Sequence, residues 1–412
     1  MKVWHSLLNF STLMMKLNNK WLNGAIPALL IHCSIGTVYC WSLLKDAIAV
    51  QLGTTVAAIE WAFSLAIFFL GMSAAFGGNL VEKNVKRSAF LSTICFTVGM
   101  IGTGFAILMA SPVAVLLSYG VVMGIGLGIG YLTPVKTLMM WFSEHKGLAT
   151  GIAITGFGLA KVIASPIIQY LLSVTTISNL FFILGGSYCV LMLLGAMLIK
   201  KPQQEGLKGS AFGLKESLKF ILNKQFLAIW FVFFINITCG LALISQEKSL
   251  VNDCSLGAQV GLIASLTAFF NSFGRFGYST ISDRFKIRSR VYEILFFTSA
   301  LACLLSWFAG FSLGGSLSIY ATCIILMLVV CNAGYGGGFS TLPSLLSDKF
   351  GMKNVSVIHG FALSAWAWAG LAGNQMGNYV IAHFGNAWLF IILALLYALS
   401  FLITRLIISK DV

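Results

Sequence analysis

Twelve long apolar runs, divided by short polar breaks, limit this chain more than any other feature. They lie near residues 22–43, 57–79, 88–110, 114–140, 147–171, 179–200, 226–245, 257–280, 291–311, 317–344, 356–382 and 386–408. About 20 apolar residues suffice to carry a helix across the hydrocarbon of a bilayer. Hydrocarbon offers no hydrogen-bond partners, so a spanning segment must be helical or part of a closed barrel. No run alternates as a barrel strand would. The expected fold is therefore an all-α membrane protein with twelve transmembrane helices. Only 9% of residues are charged and 58% are hydrophobic, which leaves no room for a soluble domain.

The formal charge of +14 is explained by sidedness, not by nucleic acid. Lysine and arginine favour cytoplasmic loops. With the N-terminus inside, the inner loops receive Lys83, Lys86, Arg87, Lys146, Arg284, Lys286, Arg288, Arg290, Lys349 and Lys353, while only Lys45 and Lys248 fall outside. Both termini are expected in the cytoplasm and the protein in the cytoplasmic (inner) membrane, as a multi-pass monomer surrounded by lipid. Met1 to Lys20 carries no evident cleavage site and reads as a tail. Eight of the nine cysteines fall in apolar runs, so they read as packing residues rather than a disulfide framework or metal set.

A polar stretch divides the helices into two sets of six. The expected domains are a tail at 1–21, a six-helix half at 22–200, a linker at 201–225 with a surface helix, a second half at 226–408 and a tail at 409–412. The loop after helix two holds Gly78, Glu82, Lys83, Lys86 and Arg87; the loop after helix eight holds Asp283 and Arg284. Helix four carries a glycine run ending at Thr133-Pro134, and helix ten carries Gly336-Gly337-Gly338 ending at Leu342-Pro343. Parallel repeats of this kind belong to alternating-access carriers, with the substrate at midplane. The two loops are then expected to form a cytoplasmic gate. The run Gly124 to Gly130 is not a dinucleotide site, because no strand precedes it and no acid follows at the needed distance.

The Gly78 loop resembles the signature of the major facilitator superfamily, although Glu82 stands where Asp is usual and Val85 where Gly is usual. Gly124 to Tyr131, Trp141 to Gly151, Gly36 to Ser42 and Tyr335 to Pro343 together resemble the oxalate:formate antiporter family within it. The resemblance spans essentially the whole chain. It implies the major facilitator fold and transport of small carboxylates. In the family's oxalate exchanger an arginine on helix eight and a lysine on helix eleven bind substrate. Arg275 matches the arginine, and Trp366 stands at the lysine position. With one cation missing, a monocarboxylate is expected over a dianion.

Arg275 lies deep in helix eight. A charge at that depth is costly, by about 3 kcal/mol on insertion scales, and faces a cavity and a partner. A planar guanidinium can grip a carboxylate with two parallel hydrogen bonds. Lys161, in the middle of helix five, is a candidate second cation, or else a packed or snorkelling lysine. Its use would return dicarboxylates to consideration. His32 in helix one is a candidate proton site, against the reading of a packed neutral ring. Lys136 is read as snorkelling, and Glu60 as sitting at a helix N-terminus. Tyr39, Tyr131, Tyr335, Phe339, Trp366 and Trp368 are candidates for an aromatic cavity wall.

The expected function is secondary active transport of a small organic anion: a monocarboxylate such as pyruvate, lactate or formate. The alternatives are an oxalate or other dicarboxylate exchanger, and a non-transporting nutrient sensor, for which the tails are expected to be too short. Antiport and proton symport both remain open, with protons as a second partner in the latter. No paired carboxylates or Ser-His-Asp grouping marks an enzyme, and no cofactor or metal is expected.

Overall fold

The structure is a computed structural model that describes residues 19–202, 219, 221–312, 317–353 and 355–410. Among the described residues are twelve long helices. In chain order they are α1 (Trp21–Leu52), α2 (Val56–Lys83), α3 (Val85–Leu108), α4 (Pro112–Trp141), α5 (Lys146–Val174) and α6 (Ile177–Leu198), followed by α7 (Lys224–Asp253), α8 (Val260–Ser282), α9 (Arg290–Ser312), α10 (Leu317–Phe350), α11 (Val355–Phe384) and α12 (Asn386–Ile408). Every expected apolar run is a helix. Most of the 201–225 linker, with its expected surface helix, and nearly all of the tail 1–21 lie outside the described residues.

Three helices run past their apolar stretch. The first passes through a 3-10 turn at Gly36–Cys40 and continues to Leu52, the seventh reaches Asp253, and the tenth reaches Phe350. Asp46, Glu247 and Asp253, expected in loops, are therefore helical. Lys45 pairs with Glu60 across the α1–α2 turn. Such polar helical turns extend beyond the hydrocarbon, where charge is tolerated. Side-chain caps start many of the helices: Thr55, Asn84, Ser111, Thr176 and Asn223 each accept from a backbone N–H of the first turn.

Eleven of the described helices are long and apolar enough to cross a membrane on their own composition. The exception is α8, whose C-terminal half holds Asn271, Ser272, Arg275 and Ser279. A helix with that face is stable in a bilayer only if the polar side is turned to protein. Its opposite side carries Phe269, Phe273 and Phe276, all exposed.

The first six helices meet the last six chiefly through α2 on α11 and α5 on α8. Small residues allow the close approach. A Cβ added at Gly71 of α2 would stand 2.7 Å from the carbonyl oxygen of Leu363 and 2.8 Å from Cβ of Ala367, both on α11. The α4 and α10 helices each contain a proline, Pro134 and Pro343, and are buried over their central turns.

Candidate substrate site

The site is built around Arg275, whose side chain is fully buried. Glycines make room for its stem. A Cβ at Gly336 of α10 would stand 3.0 Å from Arg275 Cγ, and one at Gly158 of α5 would stand 3.1 Å from Cδ. The Nε group donates to Asn271 Oδ1 at 3.0 Å, one turn back along α8. Nη1 is buried with no hydrogen-bond partner. The guanidinium lies 5.4 Å from the ring centre of Phe339 and 5.9 Å from that of Phe157. Cation–π attraction of this kind supplies roughly 1–2 kcal/mol when desolvated, less than a paired carboxylate would.

Around it stands a continuous cage of rings. Tyr39 of α1 and Tyr131 of α4 each lie 5.4 Å from Phe157. Tyr131 is 5.7 Å from Trp366 of α11, which is 4.5 Å from Phe339 of α10. Tyr335 closes the cage at 5.1 Å from Phe339. The hydroxyls of Tyr39, Tyr131 and Tyr335 and the Trp366 Nε1 group are buried without a hydrogen bond of normal geometry. The Arg275 charge acts on all three phenols. Six of the residues singled out from the sequence thus converge here: Arg275, Tyr39, Tyr131, Tyr335, Phe339 and Trp366. Trp368 does not, being half exposed and edge-on to Phe68.

Lys161 sits on the rim. It lies on α5 one turn beyond Phe157 and Gly158, on the side away from the basic loops, and is half-buried. It makes no ion pair among the described residues, and its charge acts on Glu247 of α7 and on Cys40. His32 lies behind Tyr131, stacked at 5.3 Å. Its Nδ1 meets the carbonyl oxygen of Ala153, and its Nε2 meets that of Tyr131 at 3.1 Å. A neutral imidazole has one N–H and can donate to only one of these; the protonated ring serves both.

Phe157, Asn271 and His359 were missed as site residues by reading the chain. Phe157 carried a weak signal, because Gly156 and Gly158 frame it. Asn271 stands one helical turn from Arg275, a spacing that signals contact. His359 offered no signal beyond its presence in an apolar run.

At the end bearing the basic loops, the two sets of helices are joined by a polar network. Glu82 on α2 accepts from the Ser356 N–H at the start of α11 (2.9 Å) and pairs with Lys136 of α4 at 3.1 Å. Lys136 is buried and also donates to the Met352 carbonyl oxygen at 2.6 Å, so it is a counter-ion and not a snorkelling lysine. Asp283 accepts from the N–H groups of Gly147 and Leu148 at the start of α5, at 2.8 and 2.9 Å. Arg288 joins Asp283 to Asp348, which also takes Lys146 at 3.2 Å. Gly78 packs on Ser356 and Val357, whereas Lys83, Lys86, Arg87 and Arg284 remain exposed and make no ion pair among the described residues.

A sequence model of the Major Facilitator Superfamily matches residues 8–374. The chain belongs to that superfamily. It is a multi-pass membrane transporter and not an enzyme. It is 27% identical over 402 residues to the oxalate:formate antiporter of Oxalobacter formigenes, covering 96% of this chain and 93% of that one. It is 21% identical to the apicoplast pyruvate carrier 1 of Toxoplasma gondii, covering 90% of this chain and 85% of the carrier. Among solved structures, the superfamily transporter FucP in the outward conformation superposes with a TM-score of 0.69 at 17% identity, over 93% of this chain and 97% of that one. Helix count and packing agree with that fold.

Proposed function

We propose that this transporter carries small monocarboxylates, such as pyruvate, lactate or formate, by alternating access of two six-helix halves. It lies in the inner membrane as a monomer with its basic face toward the cytoplasm. The observation that carries this reading is the unpartnered Nη1 group of the fully buried Arg275. The polar groups beside it are the Asn271 amide and three phenols, with no carboxylate of the chain paired to it among the described residues. A buried cation facing such groups is satisfied by an anion that brings its own acceptors. Aromatic walls suit a small, flat body and offer few polar partners to a large one.

Pairing with the carboxylate neutralises Arg275 and lowers the cost of closing the cage around it. Closing and reopening on the other face moves the anion across. An empty carrier, still charged, crosses poorly and so favours exchange. In a symport mode His32 is the proton site. The relatives named as an oxalate:formate antiporter and a pyruvate carrier support the substrate class.

The test is uptake of labelled formate, pyruvate, lactate, oxalate and malate into liposomes holding the purified protein, with Arg275→Gln alongside. Uptake of a monocarboxylate that falls at least about 100-fold in the mutant is expected, from the roughly 3 kcal/mol of a truncated buried charge pair. Undiminished uptake in Arg275→Gln would sink the site assignment; ligand binding without flux would favour a sensor. Lys161 supports a second reading, a dicarboxylate exchanger, because it is half-buried at the rim and free of an ion pair among the described residues. Under it, Lys161→Ala weakens oxalate or malate binding about tenfold or more and leaves formate within about twofold. Equal affinities before and after the change would remove Lys161 from the site.

A further inference from the structure

A narrow chamber, too tight for a water molecule while the basic face is closed, lies between the Arg275 cage and the basic-face network, and no role in the transport cycle described above uses it. Its lining is mostly apolar, from Leu132, Val135 and Met139 of α4, Pro343 of α10 and Val355 of α11, with Lys136, Ser356 and His359 as its polar members. Two of these side chains are anomalous. His359 and Ser356 are each only 2% exposed, and the His359 Nε2 and Ser356 Oγ atoms have no hydrogen-bond partner. They stand three residues apart on one face of α11 and look into the same chamber. A buried polar group without a partner is destabilising, and an apolar side chain would seal the helix contact better. The third polar lining group is the Lys136 ammonium, held by Glu82 and by the Met352 carbonyl oxygen.

The position of the chamber gives these groups a sequence of events. Between it and the cage stands Tyr131, whose ring lies 6.1 Å from His359 and 5.7 Å from Trp366. Trp366 and His359 are two helical turns apart on α11, about 10 Å along the axis. Its floor is made of two contacts that join the first six helices to the last six: Glu82 to the Ser356 N–H, and Lys136 to the Met352 oxygen. Separation of the helices at the basic face breaks both. Lys136, still paired with Glu82 in its own half, then has a free N–H beside a histidine and a serine hydroxyl that already lack partners.

We infer that Lys136, Ser356 and His359 form a second carboxylate site, on the basic-face side of the cage, which receives the anion as it leaves Arg275. The inference rests on the proposed transport of small carboxylates. A guanidinium in a dry cage releases an anion slowly unless another donor set takes it, and a weaker set one step along supplies that. Ammonium, hydroxyl and imidazole N–H suit a carboxylate and give less charge than Arg275, so the anion is passed on without being trapped.

The test separates the two faces. Initial rates of labelled formate and pyruvate exchange are measured in right-side-out and inside-out vesicles, for the wild type, His359→Gln and Ser356→Ala. The expected result is a KM raised about tenfold at the basic face in His359→Gln, about fivefold in Ser356→Ala, and within about twofold of wild type at the opposite face. Ser356→Ala removes one hydroxyl and carries the test if His359→Gln does not fold. Wild-type transport with an unchanged basic-face KM in a folded variant overturns the inference alone. A KM raised equally at both faces also overturns it, because the residues would then act through the cage. Absence of any carboxylate transport by the wild type overturns the underlying substrate reading and this inference with it.

Discussion

Single residues in this protein are held in states that only a neighbour or ligand can explain. Arg275 has its stem fitted between two glycines and its Nε group satisfied by Asn271, yet Nη1 is left over. His32 shows the opposite condition, with two acceptors for the single N–H of a neutral ring. Its backbone partners lie on α5 and α4, so the ring also ties three helices together. If His32 takes up a proton during transport, His32→Gln abolishes uptake driven by an imposed pH gradient while counterflow exchange stays within about threefold of wild type. The amide can still donate to one carbonyl, so the packing loss is about one hydrogen bond, near 1 kcal/mol. Gradient-driven uptake that survives in His32→Gln would restrict this residue to the structural tie.

Helices pack here by the exclusion of side chains as much as by their fit. The α2–α11 contact runs through Gly71 and Gly78 on one side and Gly360 and Gly370 on the other. A Cβ at Gly71 would come within 2.8 Å of the Ala367 backbone nitrogen, and backbone cannot swing aside. Gly71→Ala is therefore expected to lower thermal stability in detergent, by about 1–3 kcal/mol of overpacking. Gly186 on α6 has open space around it, so Gly186→Ala serves as the control and should leave the melting temperature level or slightly raised. A Gly71→Ala protein as stable as the control would mean that the helix contact is looser than these distances imply. Helix existence was legible in the sequence, because runs of apolar residues have few other solutions in a membrane. Helix ends were less so: Lys45, Asp46 and Glu247 look like loop residues but occupy helical turns at the end away from the basic loops. Arg275, Tyr131, Phe339 and Trp366 could be picked out because charge at depth and aromatic motifs stand out locally. The Lys136–Glu82 pair and the His359 chamber could not, since each depends on a contact between helices distant in the chain.

At the scale of the whole molecule, the basic face is closed by contacts that cross between the first and last six helices, braced by ion pairs within each half. Asp283 sits at the centre of one such set. Its carboxylate takes two otherwise unpaired N–H groups at the start of α5 and holds Arg288, which in turn reaches Asp348. A negative group at a helix N-terminus is stabilising there, by up to about 2 kcal/mol when partly buried. Asp283→Asn removes the charge, keeps one acceptor and leaves the shape nearly unchanged. About 1.4 kcal/mol lost from the closed form would raise the population open at the basic face about tenfold. Spin labels at Lys86 and Lys286, both exposed and one in each set of helices, can report the separation as a distance distribution. The longer-distance component should grow in Asp283→Asn, and saturating carboxylate should shift the distribution in both proteins, because the anion binds the closed cage and stabilises the path between faces. An unchanged distribution in the mutant would mean that closure rests on the glycine contacts of α2 and α11, and that the charges at this face only select which lipid leaflet it meets.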